Sequence, residues 1–100
     1  MKISILLPYK ENFSPEYPGA VSLFVYETSK ISKFKKNITV FGNTDYKKIF
    51  NLRYVNINTK KEFFYSQTKN YVNDFIKLEK KNNSSIIEVH NRPSYIHIIN

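Results

Sequence analysis

One hundred residues at 41% apolar composition suffice for one compact core, and the absence of cysteine excludes a disulfide-stapled fold and zinc–thiolate centres. A formal charge of +8 would ordinarily attract polyanions, yet fourteen of the sixteen basic residues are lysines, and Asn, Ile, Phe and Tyr abound beside them. Lysine and those four share A/T-rich codons, so base composition and solvated helix faces account for most of the excess.

Met1 to Leu7 holds one lysine and a short apolar run, too short for a signal-peptide core or a membrane span. The expectation is a cytoplasmic chain, at most peripheral at the inner face of a membrane. Ile3, Ile5, Leu6 and Leu7, stopped by Pro8, predict a strand buried on both faces, as in parallel sheets. Pro8, Pro15 and Pro18 mark a long loop to Gly19, and long loops there are often functional. From Ala20 the spacing turns helical, with Val21, Phe24, Val25, Thr28 and Ile31 as the buried stripe.

Ile38 to Phe41, closed by Gly42 and Asn43, predicts a second strand; Asp45 to Phe50 predicts a short helical turn, and Tyr54 to Ile57 a third strand. A long helix follows from about Phe63 to Lys81, with Phe64, Thr68, Tyr71, Val72, Phe75 and Leu78 inward. Asn82 to Ser84 closes it. Ile86, Ile87 and Val89 form a fourth strand, expected to be buried, that stops at His90, and Pro93 suits the start of another helix. Lys33, Lys35 and Lys36, then Lys77, Lys80 and Lys81, fall at helix ends, where cations complement the dipole.

This rhythm predicts an α/β fold: a Rossmann-like, mostly parallel, doubly wound sheet of about four strands with flanking helices. In the common strand order the first and fourth strands are neighbours at the switch point, which sets Pro8 to Ala20 against His90 to Pro93 across one crevice. The apolar tail Tyr95, Ile96, Ile98 and Ile99 starts a helix without an end signal, and an uncovered fourth strand would expose backbone and apolar surface. The chain is therefore expected to be the incomplete amino-terminal part of a longer protein.

Candidate site residues gather at those strand ends. Gly19 at a helix entry can let a phosphate approach first-turn N–H groups, or simply form an entry turn. His90 can bond a hydroxyl or exchange a proton, or merely close its strand on a loop carbonyl. Arg92 can grip a phosphate or carboxylate, or pair with Glu88; Asn91 is an orienting group or a turn residue. His90 and His97 lack partners for a metal site, so no metal is expected. Glu11 and Glu16 would make an acid and base pair only if buried, and loop carboxylates are usually solvated. Phe13, Tyr17, Phe63, Phe64 and Tyr65 among lysines match the single-strand-binding recipe, but their periodicity favours core packing.

Four segments in order, Ile3-Ser4-Ile5-Leu6-Leu7-Pro8-Tyr9, Pro18-Gly19-Ala20-Val21-Ser22, Ile38-Thr39-Val40-Phe41-Gly42 and Ile86-Ile87-Glu88-Val89-His90-Asn91-Arg92-Pro93, resemble the amino-terminal domain of family 4 glycosyltransferases of the two-domain GT-B fold. The resemblance spans the whole chain. In that family the fourth strand often carries two histidines flanking one residue; here Glu88 takes the first place and His90 keeps the second.

The resemblance implies metal-independent, retaining transfer of a sugar from a nucleotide-sugar donor to a saccharide or lipid-linked acceptor, with no cofactor and no nucleic-acid partner. It implies that Gly19 and Ala20 lie by the donor diphosphate. His90 would be the catalytic-site residue near the transferred sugar, and Asn91 and Arg92 would line the acceptor or sugar side. The nucleotide-sugar domain would lie in a carboxyl-terminal half, so this chain alone is expected not to turn over. The alternative is a small basic protein that binds nucleic acid or an anionic surface without catalysis.

Overall fold

Alternation along the first strand places its side chains on two sides of a sheet, and both sides are covered. The computed structural model describes residues 1–58 and 67–90. In chain order these form β1 (Ile3–Leu6), α1 (Ala20–Lys30), a one-turn 3-10 helix (Lys35–Asn37), β2 (Ile38–Gly42), β3 (Tyr54–Asn56), α2 (Gln67–Asn82) and β4 (Ile86–Val89). The strands make one all-parallel sheet in the order β3-β2-β1-β4. The fold is thus α/β, compatible with an incomplete Rossmann-like sheet, and β1 and β4 are neighbours as expected.

Two cores follow from the period-2 alternation. Ile5, Leu7, Phe13, Val25, Ile38 and Val40 pack on the α1 side, whereas Leu6, Phe41, Ile57, Tyr71, Val72 and Phe75 pack on the α2 side. The α2 stripe is therefore as expected at Tyr71, Val72 and Phe75, and Leu78 packs against it partly buried. Phe64 and the start of the expected helix at Phe63 lie outside the described residues. Asn83, with φ 54°, ends α2 in the left-handed conformation, its N–H reaching the Glu79 carbonyl at 2.7 Å.

Three expectations are corrected. The face that α1 buries is Ser22, Val25 and Ser29, while Phe24 and Ile31 are 59% and 80% exposed. The helix is turned by roughly one residue's 100° from the apolar stripe, because the small serines permit close approach to the sheet. Asp45 to Phe50 forms no helical turn. Its chain runs irregularly so that Phe50 can stack on Tyr26 at 4.2 Å and meet Phe13 edge-on at 5.1 Å. Finally, β4 is not buried: it is an edge strand on which Ile86 and Ile87 stay 47% and 39% exposed. Among the described residues no helix is long and apolar enough to cross a membrane.

Candidate functional site at the carboxyl ends of β1 and β4

The sheet order puts its switch point between β1 and β4, so the loop after β1 and His90 at the end of β4 come to the same end of the sheet. Leu7 continues β1 by donating to the Phe41 carbonyl at 2.9 Å, and His90 N–H reaches the Leu6 carbonyl at 3.3 Å. The loop after β1 is anchored by Phe13, fully buried, stacked on Tyr54 at 5.4 Å and held by its N–H on Thr44 Oγ1 at 3.0 Å. Tyr17 is instead 81% exposed, 6.0 Å from the Tyr46 ring. Of the suspected stacking aromatics, Phe13 is core; Phe63, Phe64 and Tyr65 lie outside the described residues.

Glu11 alters the reading of Gly19 and Ala20. Its N–H closes a turn on the Pro8 carbonyl at 3.2 Å, and its Oε1 accepts the Ser22 N–H of the first turn of α1 at 3.0 Å. A Cβ added at Gly19 would overlap the Glu11 carboxylate. Gly19 has φ −70°, which any residue adopts, so a side chain there would displace the Glu11 carboxylate without straining the backbone. A carboxylate of the chain itself thus occupies the position at the helix entry where an anion is favoured. Glu11 is not the solvated loop carboxylate expected from sequence. The signal for it was indirect: Gly19 offers no capping side chain, so the cap had to come from elsewhere.

His90 follows β4, with its side chain 19% exposed and its ring 6.4 Å from the Phe24 ring at 64°. It therefore lies over the second turn of α1, brought to the same edge as Gly19. Its Nε2 is 3.1 Å from Glu88 Oε2, near enough for an ion pair when the ring is protonated but off hydrogen-bond alignment, so the nitrogen lacks a hydrogen-bond partner. That nitrogen is buried, so a hydroxyl reaches it only when the groups around it move aside. Glu88 thus has His90 as its neighbour; Arg92, for which pairing with Glu88 is one alternative, lies outside the described residues with Asn91, Pro93 and His97. The buried Ser22 Oγ also lacks a partner.

Farther along the same sheet edge, a groove of about 590 Å³ opens where β3 ends against α2. Asn56, Asn58, Asn70, Asn73, Asp74 and Lys77 supply its polar lining, and Asn70 Nδ2 is buried there without a hydrogen-bond partner. Amides beside one carboxylate and one ammonium suit a neutral, hydroxyl-rich ligand better than an anion. The sequence signal was the polar spacing 70, 73, 74 and 77 on one face of α2.

No family model, curated protein or solved structure matches the chain.

Proposed function

We propose that this chain is the acceptor-side, amino-terminal part of a retaining glycosyltransferase, acting with a nucleotide-sugar domain to move a sugar onto a saccharide or lipid-linked acceptor. The observation that carries the reading is His90 at the β1–β4 switch point, its Nε2 without a hydrogen-bond partner, beside the helix entry that the resemblance associates with the donor diphosphate. In this reading His90 receives a hydroxyl of the transferred sugar or acceptor. Asn91 and Arg92, outside the described residues, keep the acceptor or sugar-side role that the resemblance implies, and the amide-lined groove beyond β3 takes more distant acceptor hydroxyls. Gly19 and Ala20 admit the donor phosphates only when Glu11 leaves the first turn of α1, so the phosphates and Glu11 compete for one position.

The test uses the chain joined to its donor domain. His90→Ala should lower sugar transfer at least tenfold, the scale of a lost polar contact in the transition state. Circular dichroism should remain unchanged. Unaltered turnover would reject the role of His90 and leave it as the residue that closes β4. A loss of transfer that comes only from failure to bind donor would instead move the defect to the α1 entry.

A further inference from the structure

In a parallel α/β sheet the strands begin where the helices end, so one edge collects the residues that precede strands and follow helices. Here those residues are basic. Lys2 precedes β1, Lys80 and Lys81 end α2, and Lys2 Nζ donates to the Asn82 carbonyl at 2.9 Å, tying the two together. Asn37 Nδ2 in turn donates to the Met1 carbonyl at 2.6 Å, which brings the 3-10 helix with Lys35 and Lys36 alongside. Lys35, Lys36 and Arg53 then line one shallow groove of about 310 Å³. Lys30 and Lys33 complete the border, and every one of these cations is exposed.

Acids at this edge do not balance them. Glu27 is taken by Lys30 at 2.8 Å, and Glu79 is buried, accepting from Ser4 Oγ at 2.8 Å and the Ser84 N–H at 2.7 Å. Helix dipoles account for Lys30, Lys80 and Lys81 in the last turns of α1 and α2; the single 3-10 turn that carries Lys35 and Lys36 is too short for an appreciable dipole, and Lys2, Lys33 and Arg53 lie outside the helices. Among the described residues the net positive charge is thus concentrated where the topology directs it.

Apolar side chains stand among these cations. Ile31 is 80% exposed, Met1 56% and Phe34 40%, and all three lie on the segments just named. We propose that this amino edge of the sheet docks on an anionic lipid bilayer, with the cations at the headgroups and Ile31, Met1 and Phe34 entering the interface. Apolar insertion combined with lysine attraction is the recipe for peripheral membrane binding. A nucleic-acid surface would use forked arginines and free stacking rings. This edge has Arg53, and Lys33 Nζ already sits 5.2 Å over the Phe34 ring. The surface is on the opposite edge from His90, so the inference does not depend on the proposed glycosyl transfer.

Co-sedimentation with vesicles tests it, comparing pure phosphatidylcholine with phosphatidylcholine carrying about 30% phosphatidylserine. The chain should bind only the anionic vesicles. Lys35→Gln with Lys36→Gln should weaken partitioning roughly 25-fold, about fivefold for each lysine. Ile31→Ser should weaken it severalfold at unchanged charge. Lys47→Gln with Lys48→Gln removes the same charge from the loop between β2 and β3 and should leave binding nearly intact. All five positions are exposed, so folding is not at stake. Equal losses from both double variants would overturn the proposal, as would absence of binding to anionic vesicles. Tight binding to a DNA duplex, insensitive to Ile31→Ser, would transfer the edge to a nucleic-acid partner.

Discussion

Gly19 and Glu11 are the residues whose roles changed most between sequence and structure. A helix entry with Pro18 and Gly19 reads as an anion seat, and the structure fills that seat with the Glu11 carboxylate. Sequence could not pair them, because the loop turns back at Lys10, which adopts φ 62°, and no local pattern encodes that reversal. Gly19→Ala should expel the carboxylate and cost about 1 kcal/mol in urea unfolding, the scale of a lost helix cap. Glu11→Ala should cost about the same and, unlike Gly19→Ala, leave the first turn unobstructed. Millimolar inorganic phosphate should then shift the Ser22 amide resonance more than in the wild type. An unshifted amide would show that the first turn has no use for an anion. Tyr54 offers a second test at this scale: burial pushes its phenol up to about 12, although Thr44, bonded to its hydroxyl at 2.7 Å, pulls the other way. The folded state retains that proton while the unfolded chain loses it near pH 10, so the contribution is complete below about 10 and disappears as pH rises to about 12. Tyr54→Phe should flatten this alkaline fall in stability while lowering the plateau by about 1 kcal/mol for the lost hydrogen bonds.

Among the elements, strands were more legible than helix faces. Ile3 to Leu7 and Ile38 to Phe41 are apolar runs because both sides of the sheet are covered, and no other reading satisfies them. The inward face of α1 does not follow the apolar spacing, because small residues meet the sheet there: Ser22 and Ser29 are buried while Phe24 and Ile31 face outward. Fine contacts across long sequence separation were also invisible, and the joint between α2 and β4 is the clearest case. Glu79, near the end of α2, takes the Ser4 hydroxyl from β1 and the Ser84 N–H from the approach to β4. Asn82 Nδ2 adds donations to Ser84 Oγ at 2.9 Å and Ser4 Oγ at 3.1 Å. Glu79→Ala leaves a buried hydroxyl and a backbone donor short of their acceptor and should cost about 2–3 kcal/mol. Glu79→Gln keeps one acceptor oxygen and should lose less. Chemical denaturation of both variants checks the order; equal stability of Glu79→Ala and wild type would mean that water replaces the carboxylate without cost.

For the molecule as a whole, the decisive feature is that β4 is the outermost strand of the sheet, with no partner on its outer side among the described residues. In a parallel ladder alternate residues bond to one side, and the hydrogen bonds of Ile86 and His90 to the β1 side leave Ile87 and Val89 with backbone groups directed away from β1. Ile86 and Ile87 alternate across the sheet, so both faces beside this edge are apolar and exposed. The charge that could deter pairing at this edge is Glu88, and His90 lies 3.1 Å from it. An uncovered edge of this kind templates strand addition, either by further sequence or by a second copy. Ile87→Lys places a cation on the edge with little effect on the core and should change stability by less than about 0.5 kcal/mol. Sedimentation velocity across a concentration series should show self-association of the wild type and a monomer for the variant. A wild type that stays monomeric throughout would mean that the edge is already covered, whereas identical association of both proteins would place the contact elsewhere.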